Sequence, residues 1–307
     1  MSPARLDELW MVGADADSTA PDARHKAARS LEEILDSRGD WVVLSTCHRI
    51  EAYGFGQAPQ VLSLDPRWGE AAASHLLRVA AGLESAVVGE DEVLHQVREA
   101  LRTARHARPL SGELARLFEL AVAAGRRSRA GRTAVGAGLA GRAIEWLQQR
   151  TELSDRPILI VGAGRMGSAL AHAAHGVGAR LTIASRDPDR ARRLARIHAG
   201  VGVDLATGAE LARSSAAVAV ALTGPWHELA SGPLPPTADL SAPTALSAAA
   251  RAGLADSFLG IDDLFGHAAP PPPGYVRSAE AIVGGRMREY ANWLDRRLVF
   301  DSALGTR

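Results

Sequence analysis

The chain opens with a short apolar run, Leu9 to Val12, then alternates apolar and charged residues at helical spacing from about Pro21 to Asp36, and returns to a continuous apolar run at Trp41 to Leu44. Side chains change face at every residue of a strand and recur every three to four residues along a helix, so this order predicts strand, helix, strand. From Gly69 to about Arg108 the period is helical. Leu76, Leu77, Val79 and Ala80 fall on one helix and Val93, Leu94, Val97 and Leu101 on the next, punctuated by Gly82 and Gly89. Another helix is predicted over Leu114 to Arg129, followed by a Gly-rich connection from Gly131 to Gly141 and a helical stretch ending near Gln149.

The second half has a different rhythm. Short apolar runs at Ile158 to Val161, Leu181 to Ala184, Val201 to Leu205 and Ala217 to Leu222 are separated by Ala- and Arg-rich helical runs, the pattern of a parallel sheet with crossover helices. The polar stretch Thr151 to Arg156 reads as the linker into it, Pro270 to Pro273 as a stiff extended spacer out of it, and about Ser278 to Val299 as a last helix. The expected fold class is α/β: an N-terminal α+β catalytic domain over residues 1–150, a Rossmann-type doubly wound domain over 151–269, and a C-terminal helix within 275–307.

Composition narrows the function classes. A chain of 307 residues has room for two cores, and 47% hydrophobic with 23% charged residues is the balance of a folded protein. Lys plus Arg and Asp plus Glu are 35 each, which excludes a global positive field, so any nucleic-acid contact must use local patches. Arg126, Arg127, Arg129 and Arg132 form one, although basic runs are more often only a solvated helix face. Arg5, Asp7 and Glu8 interrupt the N-terminus, and no stretch approaches the ~18 apolar residues of a membrane span. The expectation is a cytoplasmic protein with no membrane partner and no metal site.

Two segments carry chemistry. Gly162-Ala163-Gly164-Arg165-Met166-Gly167 follows a predicted strand and opens a helix, the context in which this motif binds a dinucleotide pyrophosphate at a helix N-terminus. At the end of the next strand, where NAD-selective domains place a carboxylate for the ribose hydroxyl, the chain has Ser185-Arg186. A carboxylate would repel a 2′-phosphate whereas Ser185 and the fork of Arg186 bind one, so the expected cofactor is NADPH. The second segment is Ser45-Thr46-Cys47-His48-Arg49, at the end of an apolar strand, where five polar or reactive side chains are expected to emerge together. A single cysteine forms no internal disulfide. Buried core filler is the commoner fate of an isolated Cys, but cationic neighbours lower a thiol's pKa and make it a nucleophile.

Ser45-Thr46-Cys47-His48-Arg49-Ile50-Glu51 resembles the Ser-Thr-Cys-Asn-Arg-Thr-Glu signature of the glutamyl-tRNA reductase family. The segment His75 to Ser85 with Val88-Gly89-Glu90 resembles that family's substrate block, Thr133 to Trp146 its helix entering the cofactor domain, and the Gly motif with Ser185-Arg186 and Thr223-Gly224-Pro225 its NADPH domain. The resemblance implies that Cys47 attacks the ester of glutamyl-tRNA and that NADPH reduces the thioester to glutamate-1-semialdehyde, the tetrapyrrole precursor, with the downstream aminomutase as a candidate partner. It implies His75 as proton-transfer or ester-positioning residue, and Thr46, His48, Arg49, Ser85, Glu90, Asp91, Glu92 and Gln96 around the glutamyl group. Arg49 would pair with a carboxylate and Glu90 with the α-ammonium. Gly162 to Gly167, Ser185, Arg186 and Thr223 would hold the cofactor. Structural readings compete: His75 as a surface or capping residue, and Glu90 and Glu92 as favourable charges at a helix N-terminus.

Four positions depart from the family's pattern. The early Gly-Leu-Asn-His-Lys-Thr-Ala-Pro block reads Gly13-Ala14-Asp15-Ala16-Asp17-Ser18-Thr19-Ala20-Pro21, without its histidine; His48 replaces Asn; Asp91-Glu92 replace Pro-Gln; and the chain ends at Arg307, before the family's dimerisation domain. A monomer, or pairing through another surface, is the matching expectation. A paralogue acting on another acyl group and a catalytically degenerate NADPH-binding regulator stay open as alternatives.

Overall fold

A computed structural model describes residues 5–16, 18–35, 39–46, 48–61, 64–85, 91–130, 138–230, 232–266 and 273–304. The chain divides into two units, Met1–Val135 with Ala269–Arg307, and Gly136–Ala268.

The first unit is built on a four-stranded antiparallel sheet of β1 (Leu9–Asp15), β2 (Trp41–Ser45), β3 (Arg49–Phe55) and β4 (Arg67–Trp68), in the order β2-β3-β1-β4. Alternation along the strands supplies two cores. Trp10, Val12, Ala14, Ile50 and Ala52 face α1 (Pro21–Ile34), which contributes Ala27 and Leu31. Leu9, Met11, Val42, Leu44 and Tyr53 face the larger core of α2 (Gly69–Ala80), α3 (Asp91–Ala107) and α4 (Gly112–Arg129). α3 shows the helical period plainly: Val93, Val97, Leu101 and Ala104 are buried, while Arg98, Arg102 and Arg105 are exposed.

The second unit begins at α5 (Leu139–Gln148) and continues through β5 (Pro157–Val161), α6 (Arg165–Gly176), β6 (Arg180–Ser185), α7 (Pro188–Ile197), β7 (Val201–Asp204), α8 (Leu205–Leu211), β8 (Ala217–Val220), β9 (Thr237–Asp239), α9 (Ala248–Ala252), β10 (Phe258–Gly260) and α10 (Asp263–Gly266). Its six strands are all parallel, in the order β10-β9-β8-β5-β6-β7. The sequence runs out in one direction from β5 and then in the other, which opens a crevice at the carboxyl ends of β5 and β8.

Two boundaries differ from the sequence expectation. Helix α5 packs on α6 and on β8 and β9, so the break falls at Val135/Gly136 and not at residue 150. The last helix, α11 (Pro273–Leu304), is not a separate segment. Tyr275, Ala279, Val283, Met287, Tyr290 and Leu294 enter the core of the first unit, and the Tyr275 hydroxyl donates to the Ala81 carbonyl at 2.6 Å. Pro273 starts this helix, while the rest of the expected proline spacer lies outside the described residues, as does most of the Gly-rich connection before α5. Among the described residues no helix is long and apolar enough to cross a membrane, and no group of three or more His, Cys, Asp or Glu is arranged to hold a metal ion.

Candidate active site

The reactive segment is not a strand end but the connection of a hairpin. β2 stops at Ser45 and β3 starts at Arg49, with Thr46 and His48 between the two strands. Thr46 holds the connection: its Oγ1 accepts from the amides of His48 at 3.2 Å and Arg49 at 3.0 Å, and its own amide donates to the Arg49 carbonyl at 2.8 Å. Hydroxyl oxygens commonly fix short turns this way. The five side chains therefore do not emerge together. Ser45 is exposed and Thr46 half-buried, but His48 and Arg49 are buried because β3 turns straight back into the sheet. Cys47 lies outside the described residues.

Below the hairpin, strand periodicity puts Arg49, Glu51 and Tyr53 on one face of β3, the face that meets the helices. Glu51 is the hub. Its Oε1 accepts from Arg49 Nη1 at 2.9 Å and lies 2.8 Å from His75 Nε2, and its Oε2 accepts from the Tyr53 hydroxyl at 2.7 Å. Burial alone would raise the Glu51 pKa, yet the Arg49 charge, with the His75 and Tyr53 hydrogen bonds, holds it down at about 2. The same carboxylate opposes the desolvation of Arg49 and leaves its pKa raised.

His75 occupies the second turn of α2 and is only 4% exposed, so the surface or capping reading does not apply. Its Nδ1 lies 2.7 Å from Arg67 Nη1. Arginine can only donate and an ionised glutamate can only accept, so the ring has the hydrogen-bond pattern of the Nε2–H tautomer. Both nitrogens are engaged with protein groups. Arg49 also donates through Nη2 to the Glu84 carbonyl, joining β3 to the segment after α2. Next to it, the Ser85 hydroxyl is buried without a hydrogen-bond partner among the described residues. Such an orphan is unfavourable unless something else satisfies it.

The structure thus gathers Thr46, His48, Arg49, His75 and Ser85. Glu92 and Gln96 sit one turn apart on α3, on one face. Glu90 and the side chain of Asp91 lie outside what is described. Glu51, Tyr53 and Arg67 were missed as site residues. The signal for the first two was present in the spacing Arg49, Glu51, Tyr53; nothing local in the sequence pointed to Arg67.

In the second unit the Gly motif joins β5 to α6. Gly162 has φ +116, and a Cβ there would stand 2.1 Å from the Ala221 carbonyl oxygen. A Cβ on Gly167 would stand 1.9 Å from the Gly162 oxygen, so both glycines are required for the close approach of helix and strand. Gly164 faces open space at the start of α6. Ala163 lies in this turn, and Arg165 and Met166 are the first two residues of α6. Ser185 ends β6 and accepts from the Asp187 amide at 3.2 Å, while Arg186 is exposed and donates to the Thr223 carbonyl at 2.8 Å. These groups share the carboxyl edge of the sheet. Asp239, absent from the sequence reading, folds the neighbouring loop by accepting from Ser241, Thr244, Ala245 and Leu246, and Ser241 in turn accepts from the Leu222 amide.

Residues 16–131 match the family described as glutamyl-tRNAGlu reductase, N-terminal domain, and residues 145–227 match shikimate/quinate 5-dehydrogenase. A glutamyl-tRNA reductase of Thermus thermophilus is 34% identical over 248 residues, 74% of this chain and 63% of that protein. Glutamyl-tRNA reductase 2 of a Nocardioides species is 31% identical over 298 residues, 82% of this chain and 65% of that protein. The chain thus spans just under two thirds of the length of these relatives. A solved glutamyl-tRNA reductase from Methanopyrus kandleri superposes with a TM-score of 0.48 at 25% identity, covering 95% of this chain and 80% of that one.

Proposed function

This chain belongs to the glutamyl-tRNA reductase family, and from that premise we propose that it reduces glutamyl-tRNA to glutamate-1-semialdehyde through a thioester on Cys47, with NADPH as reductant. The observation that carries the reading is the buried Arg49–Glu51–His75 network at the root of the hairpin containing position 47. In this reading the Cys47 thiolate attacks the ester carbonyl, the carbon–oxygen bond breaks, and the departing tRNA oxygen takes a proton. A thioester accepts hydride more readily than the ester it replaces, and the carbon–sulfur bond then breaks, which returns the Cys47 thiolate and frees the aldehyde.

The residues divide the work. Thr46 fixes the turn and His48 lines it, beside the glutamyl group. Two of the Arg49 donors are used by Glu51 and Glu84, which aims the remaining N–H groups, and these are assigned to the substrate carboxylate. With both nitrogens occupied, His75 is a positioning residue that orients Glu51 and hence Arg49, not a proton carrier. The orphan hydroxyl of Ser85 is assigned to a polar atom of the substrate. Glu92 and Gln96 on α3 are assigned to the remaining wall, and the family resemblance assigns Glu90 and Asp91 to the same group, Glu90 to the α-ammonium.

The glycine cradle fits a dinucleotide, because side chains are excluded at Gly162 and Gly167 while Gly164 leaves its helix N-terminus open. Ser185, Arg186 and Thr223 would hold the adenosine end, the carboxylate of the adjacent Asp187 being engaged by the amides of Asp189 and Arg190 at the start of α7. When bound there, NADPH supplies the hydride. Release of the reactive aldehyde to the aminomutase that consumes it completes the step.

Incubating the protein with glutamyl-tRNA without NADPH, followed by mass spectrometry of the Cys47 peptide, should find a glutamyl thioester, absent from Cys47→Ser. An unmodified Cys47, or aldehyde formation by the serine variant, would overturn the assignment. The same trap with other charged tRNAs reads the effect of His48 and Asp91-Glu92 on the acyl group accepted.

A further inference from the structure

Helices α3 and α4 leave between them a groove of about 550 Å³ on the surface of the first unit. Its floor is apolar, from Leu101, Val122 and Ala123, and its rims are basic. Arg98, Arg102 and Arg105 recur along α3 at the spacing that keeps them on one exposed face, and Arg126 faces them from the last turn of α4. Glu119 is the one carboxylate in the lining, and it pairs with Arg105 at 2.5 Å. Arg102 pairs with Glu99 of its own helix. Arg98 and Arg126 form no ion pair among the described residues.

We propose that this groove carries the phosphodiester backbone of the RNA whose acylated end reaches Cys47. The inference rests on the glutamyl-tRNA reading above and adds the surface that reading lacks. A chain with no net charge attracts a polyanion only where its cations are locally in excess, and here four guanidiniums meet two carboxylates, Glu119 in the lining and Glu99 beside it, which leaves Arg98 and Arg126 as the excess. Guanidinium is the side-chain group best matched to phosphate oxygens. Placement agrees. α3 begins at Asp91, directly after the Val88-Gly89-Glu90 block, and packs on β2, the strand that leads to Thr46. At 1.5 Å of rise per residue, Arg98 lies roughly 10 Å and Arg105 roughly 21 Å along the helix from that end. The arginines therefore form a track leading away from the reaction centre. Structure also sorts the basic run of α4: Arg129 is spent on the Ala80 and Gly125 carbonyls and Arg132 lies outside the described residues, whereas Arg126 turns to the groove.

The test is fluorescence anisotropy with a labelled glutamate-tRNA transcript over a salt series. It compares the wild-type chain, the pair Arg98→Glu with Arg126→Glu, the milder pair Arg98→Gln with Arg126→Gln, and a control of equal charge change, Arg193→Glu with Arg196→Glu on α7. The Glu pair should weaken binding about tenfold or more and flatten the salt dependence, as expected when about two phosphate contacts are lost. The Gln pair should fall between, and the control should bind like wild type. Groove variants no weaker than the control would overturn the proposal while leaving the reductase reading standing. Wild-type protein that binds no RNA at low salt would overturn both.

Discussion

Replacing Glu51 by Gln tests the centre of the site most directly. The amide keeps the size of the side chain and one acceptor, but it leaves Arg49 as a buried cation with no counter-charge; the two side chains are only 4% and 2% exposed in the native pair. Removing one partner of such a pair costs about 3–5 kcal/mol. The titration gives a similar size. A carboxyl held at about 2 in the folded chain, against 4.5 for the free side chain of the unfolded one, corresponds to about 3 kcal/mol of stability. Because the folded-state pKa is the lower one, this contribution is complete above about pH 4.5 and disappears as the pH falls towards 2. Urea unfolding with pulsed hydrogen exchange, read on peptides from β1 and β3, reports the first unit separately from the second. Wild type should exceed Glu51→Gln by about 3 kcal/mol at pH 7, and the gap should close as the pH is lowered from 4.5. A gap below about 1 kcal/mol at pH 7, or one that does not change with pH, would refute the argument that Glu51 is ionised and paired.

Gly167→Ala places a methyl group against the Gly162 carbonyl, so helix α6 must move off β5 and NADPH affinity should fall about tenfold or more by isothermal titration; unchanged affinity would contradict the packing argument. Arg186→Ala should weaken NADPH about tenfold or more while NADH binding stays nearly constant, and equal losses for both would remove the 2′-phosphate assignment. Thr46→Val leaves the His48 and Arg49 amides without their acceptor and should cost about 1–2 kcal/mol in urea unfolding, with Thr46→Ser restoring most of it; a valine variant as stable as wild type would show that the turn holds itself.

Much of the parallel-sheet unit was legible because its central strands, β5 and β8, are buried on both faces and read as unbroken apolar runs. The strands β9 and β10 were not, being three residues each. The C-terminal helix showed an apolar face, but a single sequence does not say what an apolar face packs against. Only the assembled core shows Tyr290 and Leu294 meeting α2 and α4. The first unit hid its central strand for a different reason. Arg49-Ile50-Glu51-Ala52-Tyr53 alternates cleanly, but its charged residues face inward, and the ordinary rule that charged means exposed assigns them to the wrong side.

That inversion is also why the site was only half legible. A family resemblance picks out Thr46, Arg49 and His75 as separate positions, each with its own contact to a substrate. The packed chain makes them dependent. Thr46 sets the turn that returns Arg49 to the sheet, Arg49 keeps Glu51 ionised, and Glu51 fixes the ring of His75, whose other nitrogen is taken by Arg67. A buried ion pair contributes little net stability compared with apolar residues of the same volume, so one placed at the root of the β2–β3 connection points to orientation as its purpose. It follows that substitutions of Glu51 and His75 should be non-additive in turnover, the second costing much less once the first has freed Arg49 to move. Independent, additive losses would mean that His75 acts on the substrate directly after all.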